Sequence, residues 1–267
     1  MVPKIRGLVP KLTALAAALL IAGAVAPLDA APRAKSVPPP VASIDPAVVA
    51  AFDRMSEYVA GLRSFELATT YSFDVVAKNG QTVTVDGTGH YLVRRPDKLV
   101  ATVKNDLFAR TYVYDGKTLV IASPDEKYYA RIAARPTIRE MLAGAAAEHA
   151  IEIPAADLFD LGTPAAASKH ATGAFRVGTA TIGGVAADHY AFRSKDRDWE
   201  VWIRSGDKPV PLKFTLVDRD QPSHPRYTVT FVWWDRSDIP DADFVFSPAP
   251  DQKPIGILRI GKTQGSK

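Results

Sequence analysis

"YVYDGKTLVIASPDEKYYARI", residues 112–132, decides the fold class. Three short runs of aromatic and β-branched residues are broken by two turn signals. Asp115-Gly116 supplies the positive φ of a tight hairpin, and Pro124-Asp125 suits the first half of a type I turn. Strand, turn, strand, turn, strand is a β-meander. The stretch carries no catalytic signature, so its aromatic surface asks for a structural or binding explanation.

The same pattern runs upstream. In "FELATTYSFDVVAKNGQTVTVDGTGHYLVRRPDKLVATVK", residues 65–104, Phe65, Leu67, Tyr71, Phe73 and Val75 alternate with Glu66, Thr70, Ser72 and Asp74. A strand built this way has one apolar and one wet face. Asn79-Gly80 is a strong hairpin signal, after which Val83, Val85, Tyr91 and Val93 resume the period of two. Further strands are expected over about 97–104, 109–115, 118–123 and 127–133.

Downstream the period changes. "TIREMLAGAAAEH" opens with Thr137 and places Glu140 three residues on, a capping box, and Ile138, Met141, Leu142 and Ala145 then fall on one helical stripe. "PAADLFDLG" offers a second short helix with Leu158, Phe159 and Leu161 apolar. Strands return over about 174–181, 185–194 across the Gly183-Gly184 turn, 197–205, 210–219 and 226–235, which makes about eleven in two antiparallel blocks. Upstream of all of them, "DPAVVAAFDRMSEYVAGL" has Asp45 as N-cap and Pro46 at the first helical position. Its apolar residues Val48, Phe52, Met55, Val59 and Leu62 form one stripe, and Gly61 marks the end.

The first thirty residues read as a signal peptide. Lys4, Arg6 and Lys11 precede an uncharged apolar run from Leu12 to Val25, and small residues at "APLDAA" allow cleavage near Ala30. A membrane anchor needs about 20 apolar residues and this run is shorter. No permanent anchor is therefore expected after cleavage. "APRAKSVPPPVAS" then reads as a Pro-rich linker over 31–44. The chain has no cysteine, which excludes a bacterial lipoprotein anchored through a lipid-modified Cys, disulfides, thiolate metal sites and cysteine nucleophiles.

With 267 residues and 47% hydrophobic content, a single β-rich domain over 45–256 is expected, followed by a tail at 257–267. The formal charge is +4, and basic and acidic residues alternate, so no run exists that would track a phosphate backbone. Nucleic acid is not an expected partner. The chain lacks a G-x-S-x-G elbow, an H-E-x-x-H pair and a P-loop, and no cofactor or metal is expected. The best chemical cluster is "DHYAFRSKDRDW", in which Asp188, His189, Asp196 and Asp198 would have to converge to form an acid/base pair or a weak metal site. Polar hairpin residues explain the same letters, and no enzyme is expected. Trp199 and Trp202 lie three apart on one strand and so face opposite sides, one in the core and the other exposed.

The leading helix, the meander carrying "YVYDGKTLVIASPDEKYY", the helical insertion and the second run of strands resemble the LolA/LolB-type lipoprotein-carrier superfamily. More narrowly, "GVAADHYAFRSKDRDWEVWIRSGDKPVPLKFTL" and "DFVFSPAPDQKPI" resemble a family of predicted periplasmic proteins within it. The resemblance implies a mainly β fold: a strongly curved, unclosed antiparallel barrel, LolA-like, covered by the N-terminal helix and a helical lid. It implies no activity. A soluble periplasmic carrier or sensor of a lipid-like ligand or an acylated lipoprotein is the expected function; the alternative is an interaction module for an envelope protein. The lid candidates are Ile138, Met141, Leu142, Leu158 and Phe159. The sheet candidates are Phe65, Leu67, Tyr71, Phe73, Val83, Val85, Tyr91 and Val93, placed by parity on one face.

Overall fold

The computed structural model describes residues 43–162, 170–221 and 223–259, so the expected signal peptide and most of the linker lie outside the described residues. Among these residues the period-two segments form one sheet. Its first block is β1 (Ser64–Val76), β2 (Thr82–Arg94), β3 (Lys98–Asn105), β4 (Ala109–Tyr114), β5 (Thr118–Ser123) and β6 (Tyr128–Ala133). The second is β7 (Gly173–Ile182), β8 (Val185–Arg193), β9 (Arg197–Arg204), β10 (Pro211–Asp218) and β11 (Arg226–Asp235), with β12 (Lys253–Pro254) after it. The order across the sheet is β12-β6-β5-β4-β3-β2-β1-β11-β10-β9-β8-β7.

Each block is a meander, and the two join where β1 pairs with β11, Phe65 opposite Asp235 and Phe73 opposite Tyr227. β7 and β12 remain separate edges, so the sheet does not close into a barrel. The strand missing from the sequence reading is β12, which pairs in parallel with Tyr128 and Tyr129 of β6. Two residues cannot display a period, which is why it was not legible.

The turns follow their glycines. Gly183 and Gly184 both have positive φ, 56° and 82°, as a two-residue turn of the primed type requires. Asn79-Gly80 forms the expected hairpin. Gly80 N donates to Ala77 O and Ala77 N to Gln81 O, so the loop is a turn closed by a left-handed glycine, three residues long.

Both helices start as their caps dictate. In α1 (Pro46–Gly61) the Asp45 carboxylate accepts from Ala47 N, and Val48, Phe52, Met55 and Val59 are buried. In α2 (Ile138–His149) the Thr137 hydroxyl accepts from Glu140 N, and Ile138, Met141 and Ala145 are buried. The short helix expected around Leu158 is a 3₁₀ turn, Ala156–Phe159. The helices share one face of the sheet, here the inner face. α1 lies on β7–β10, where Phe52 meets Phe192 and Trp199 edge-on at 5.5 and 5.2 Å. α2 and the 3₁₀ turn lie on β1–β5 and β11.

The outer face has its own cover. After β11 the chain crosses β2–β6 as a strap: Arg94 donates to Ile239 O, pairs with Asp241 and stacks over Phe244, while Arg131 and Tyr129 hold Phe246. The strap rounds the β6 edge through β12 and reaches the end of α2, where Leu258 O lies 3.3 Å from His149 Nδ1 and Arg259 3.6 Å from Glu148. Part of the expected tail is thus tied to the expected lid.

Candidate functional site

The register of β1 against β2 brings the sheet candidates together. Phe65 stands opposite Val93, Leu67 opposite Tyr91, Phe73 opposite Val85 and Val75 opposite Val83, so all lie on the inner face. Phe65, Leu67, Tyr71, Val85, Tyr91 and Val93 are buried, and Phe73 is half-buried. Val83 is 45% exposed. It sits where the β1–β2 hairpin projects past β3, whose last residue pairs with Gly87, outside the cluster that α2 covers.

The lid candidates meet this face. Ile138, Met141, Leu158 and Phe159 are buried in the same cluster, with Leu142 packed at its margin rather than within it. The sequence reading did not nominate Leu99, Ala101 and Val103 of β3, Tyr112 and Tyr114 of β4, Leu119 of β5, or Val229 and Phe231 of β11, although all belong to the cluster. The period of two marks them as clearly as it marks β1 and β2. What the pattern lacks is a statement of which strands a short helix can reach.

Two glycines shape the floor. A Cβ on Gly87 would lie 2.4 Å from Tyr71 Cζ, and one on Gly89 2.6 Å from Thr69 Oγ1 and 2.7 Å from the Tyr91 hydroxyl. The absent side chains leave the space that the two rings occupy. Asn105 Nδ2 donates to the Tyr71 hydroxyl at 3.3 Å. The Tyr91 hydroxyl and Thr69 Oγ1 are enclosed and face each other without reaching hydrogen-bond geometry. Burial pushes the Tyr71, Tyr91, Tyr112 and Tyr227 phenols up, and Tyr114, whose hydroxyl donates to Arg135 O, is pushed up to about 12, again chiefly by burial. The floor is therefore aromatic, neutral and dotted with hydroxyls.

Arg95 ends this floor beside the start of α2. Pro96 O accepts from Ile138 N, and the Arg95 guanidinium lies 5.1 Å above the Phe159 ring. Its Nε and Nη2 are enclosed with no hydrogen-bond partner among the described residues, and burial lowers its pKa. Sequence reasoning missed Arg95. Parity aims it inward after Val93, but a charged residue at a turn is ordinarily assigned to solvent.

At the α2 edge a small, partly open pocket of about 20 Å³ lies between Leu119, Ile132, Met141 and Ala145 and the polar Arg135, Glu148 and His149, room for about one water. A shallow polar pocket of about 320 Å³ lies elsewhere, between His170, Ser194, Arg197, Asp218 and Asp220.

The polar cluster of the sequence reading does not assemble. Asp188 faces inward to Arg176 and Ser205, whereas His189 faces outward with Nε2 2.8 Å from Glu200. Arg193 and Arg219 hold the Asp198 carboxyl below its ordinary value, with the Arg193 hydrogen bonds as the largest cause. Alternation along β8 puts Asp188 on the face opposite His189, whereas Asp198 shares the His189 face but lies four residues along β9 from Trp202, the residue opposite His189. The same alternation puts Trp199 and Trp202 on opposite faces, but Trp202 is not the exposed one expected. It is only 9% exposed, covered by the His189 ring stacked at 3.9 Å and by Lys213 Nζ at 4.6 Å.

The chain belongs to the family described as predicted periplasmic protein (DUF2092), whose model matches residues 49–258, from α1 to the end of the strap. It is a periplasmic protein of that family. Among solved structures it is similar to LprF from Mycobacterium bovis, at 14% identity over 74% of this chain and 98% of that one, TM-score 0.47. It is also similar to lipoprotein LppX from Mycobacterium tuberculosis, at 13% identity over 73% and 100%, TM-score 0.37. A LolA superfamily protein from Nitrosomonas europaea matches at 11% identity over 74% and 97%, TM-score 0.33. A search of curated proteins finds no match. Among the described residues no helix is long and apolar enough to cross a membrane.

Proposed function

We propose that the protein is a carrier or sensor of a lipid-like ligand, a free or lipoprotein-borne acyl chain, received between the inner face of β1–β5 and the α2 cover. The observation that supports this is the inequality of the two covers. α1 is fastened by Val48, Phe52 and Met55 into an aromatic group in which Phe192 and Trp199 stack at 3.9 Å, and by Val59 against a second cluster that contains Val210 and Leu212. α2 buries only Ile138, Met141 and Ala145, on a face that presents Phe65, Leu67, Tyr71, Tyr91, Val93 and Tyr112.

Apolar burial stabilises by about 25 cal/mol per Å², so the small-residue helix is the weaker cover and opens first. Opening exposes a contiguous aromatic and aliphatic surface, which an acyl chain re-covers. Ligand sites enclose roughly 300–1,000 Å³, and Ile138, Met141 and Ala145 already pack on this face, so entry requires α2 to move. No catalytic step belongs to this reading.

Native mass spectrometry with lipid extraction, on protein taken from the periplasm without detergent, tests it. An associated acyl species is the expected result. Protein that carries none and captures no fluorescent fatty-acid probe sinks the carrier reading. The second reading is then an envelope-protein interaction module, favoured by the exposed Phe175 and Val177 on the edge strand β7, just beyond Ala174 where Ser43 and Asp45 pair with it.

A further inference from the structure

Arg94 and Arg95 are neighbours with opposite fates. Arg94 points to the outer face and is fully engaged, by Ile239 O, Asp241 and the Phe244 ring. Arg95 points inward and has one neighbour of consequence, the Phe159 ring, with Nε and Nη2 enclosed and unpartnered among the described residues. The acid nearest in sequence to Phe159 does not answer it, because Asp160 pairs with Arg139 at 2.9 Å.

An enclosed charge without a counter-charge is destabilising, and a guanidinium is a fork of donors whose geometry matches a carboxylate or phosphate in bidentate fashion. Stacking on Phe159 satisfies the flat face of that fork and leaves its edge unused. The position adds to this. Arg95 sits where the two parts of the cover meet, next to the first residue of α2 and under the 3₁₀ turn, at one end of the apolar floor that continues through Phe65, Val93 and Leu67.

We propose that Arg95 is the anion-binding residue of the ligand site and that the ligand is an anionic amphiphile: a long acyl chain lies along the floor and its carboxylate or phosphate head group is held by the Arg95 edge. The inference rests on the carrier reading above and adds the sign of the head group. Removal of a partnerless charge should also leave the empty protein at least as stable as before, so loss of binding in an Arg95 variant is separable from loss of fold.

Equilibrium dialysis at pH 8 with labelled hexadecanoate, palmitoyl lysophosphatidate and hexadecanol, each below its aggregation concentration, tests this. The full chain is expected to bind the acids at least tenfold tighter than the alcohol. Arg95→Met should equalise hexadecanoate and hexadecanol by weakening the acid alone, and Arg95→Gln serves should the Met variant fail to fold. A tighter hexadecanoate than lysophosphatidate assigns the head group as carboxylate, and the reverse order assigns phosphate. Equal binding of acids and alcohol by the unaltered protein overturns the role of Arg95 while leaving the acyl site in place. Failure of all three to bind overturns the carrier reading and this one with it.

Discussion

Gly87 of β2 lies directly beneath the Tyr71 ring of β1, so that a Cβ added at Gly87 would stand 2.4 Å from Tyr71 Cζ and 2.6 Å from its hydroxyl oxygen. Glycine is needed here for space, since φ is ordinary for a strand. Gly87→Ala forces the ring off the floor, and overpacking of this kind lowers stability by about 1–3 kcal/mol. Urea unfolding measures it. Tyr71→Leu removes the obstruction, so Gly87→Ala in the Tyr71→Leu background should cost much less, and strictly additive losses would show that the clash is not the cause.

The enclosed phenols give a pH dependence with a definite sign. Burial raises Tyr71, Tyr91, Tyr112, Tyr114 and Tyr227, because a phenolate cannot be solvated on the inner face. A group whose folded pKa is raised contributes stability that is complete below its unfolded value, near pH 10 for tyrosine, and that disappears as pH rises through the folded value. Absorbance at 295 nm should therefore titrate at higher pH in the native protein than in urea, and unfolding should accompany the late phase above about pH 11. Coincident curves would show the phenols to be open to solvent.

The alternation that made this floor predictable also marks where sequence reading stops. Phe65 to Val93 could be assigned to one face because hairpin pairing preserves parity, and Gly183-Gly184 fixed a turn by its need for positive φ. The strap could not be read in the same way. Ile239 and Phe244 are buried, but they lie in "DIPDADFVFSPAPDQKPI", a Pro-rich and acidic segment with no period, and docking on the outer face is decided by the finished sheet. Val113 and Val120 show the consequence: they face outward and are nevertheless buried. Parity says which residues share a face. It does not say what covers that face, and Trp202 and Arg95 were misjudged or missed for that reason.

Adjacent residues of α2 separate packing from access. Met141 is buried in the cluster and Leu142 lies at its margin. Met141→Asp places an unpaired charge in the core and should lower stability by about 3 kcal/mol or more, whereas Leu142→Asp should lower it by about 1 kcal/mol. Thermal unfolding orders the two. If the carrier reading holds, Leu142→Asp should still reduce capture of a fluorescent fatty-acid probe while the fold persists, since the rim of the entry has become charged. Unchanged capture by a folded Leu142→Asp variant would place the entry elsewhere.

The strap joins the outer face to the cover of the inner one, and this coupling is open to test. Lys253 N donates to Lys127 O and Ile255 N to Tyr129 O, fixing β12 on β6, and Leu258 and Arg259 then reach His149 and Glu148 at the last turn of α2. Exposed ion pairs contribute little singly, about 0–1 kcal/mol, so Arg259→Ala alone should change almost nothing. Ending the chain at Gln252 removes the backbone pairing together with both contacts to α2, while Ile239 and Phe244 stay in place on the outer face. Local opening tracks the contacts that hold an element down. Hydrogen exchange should therefore quicken in α2 and β6 of the shortened chain, and the amides of β1, β2 and α1 should keep their protection. Uniform acceleration in every element would mean that the segment stabilises the whole sheet, and unchanged exchange in α2 would mean that the cover is held by Ile138, Met141 and Ala145 alone.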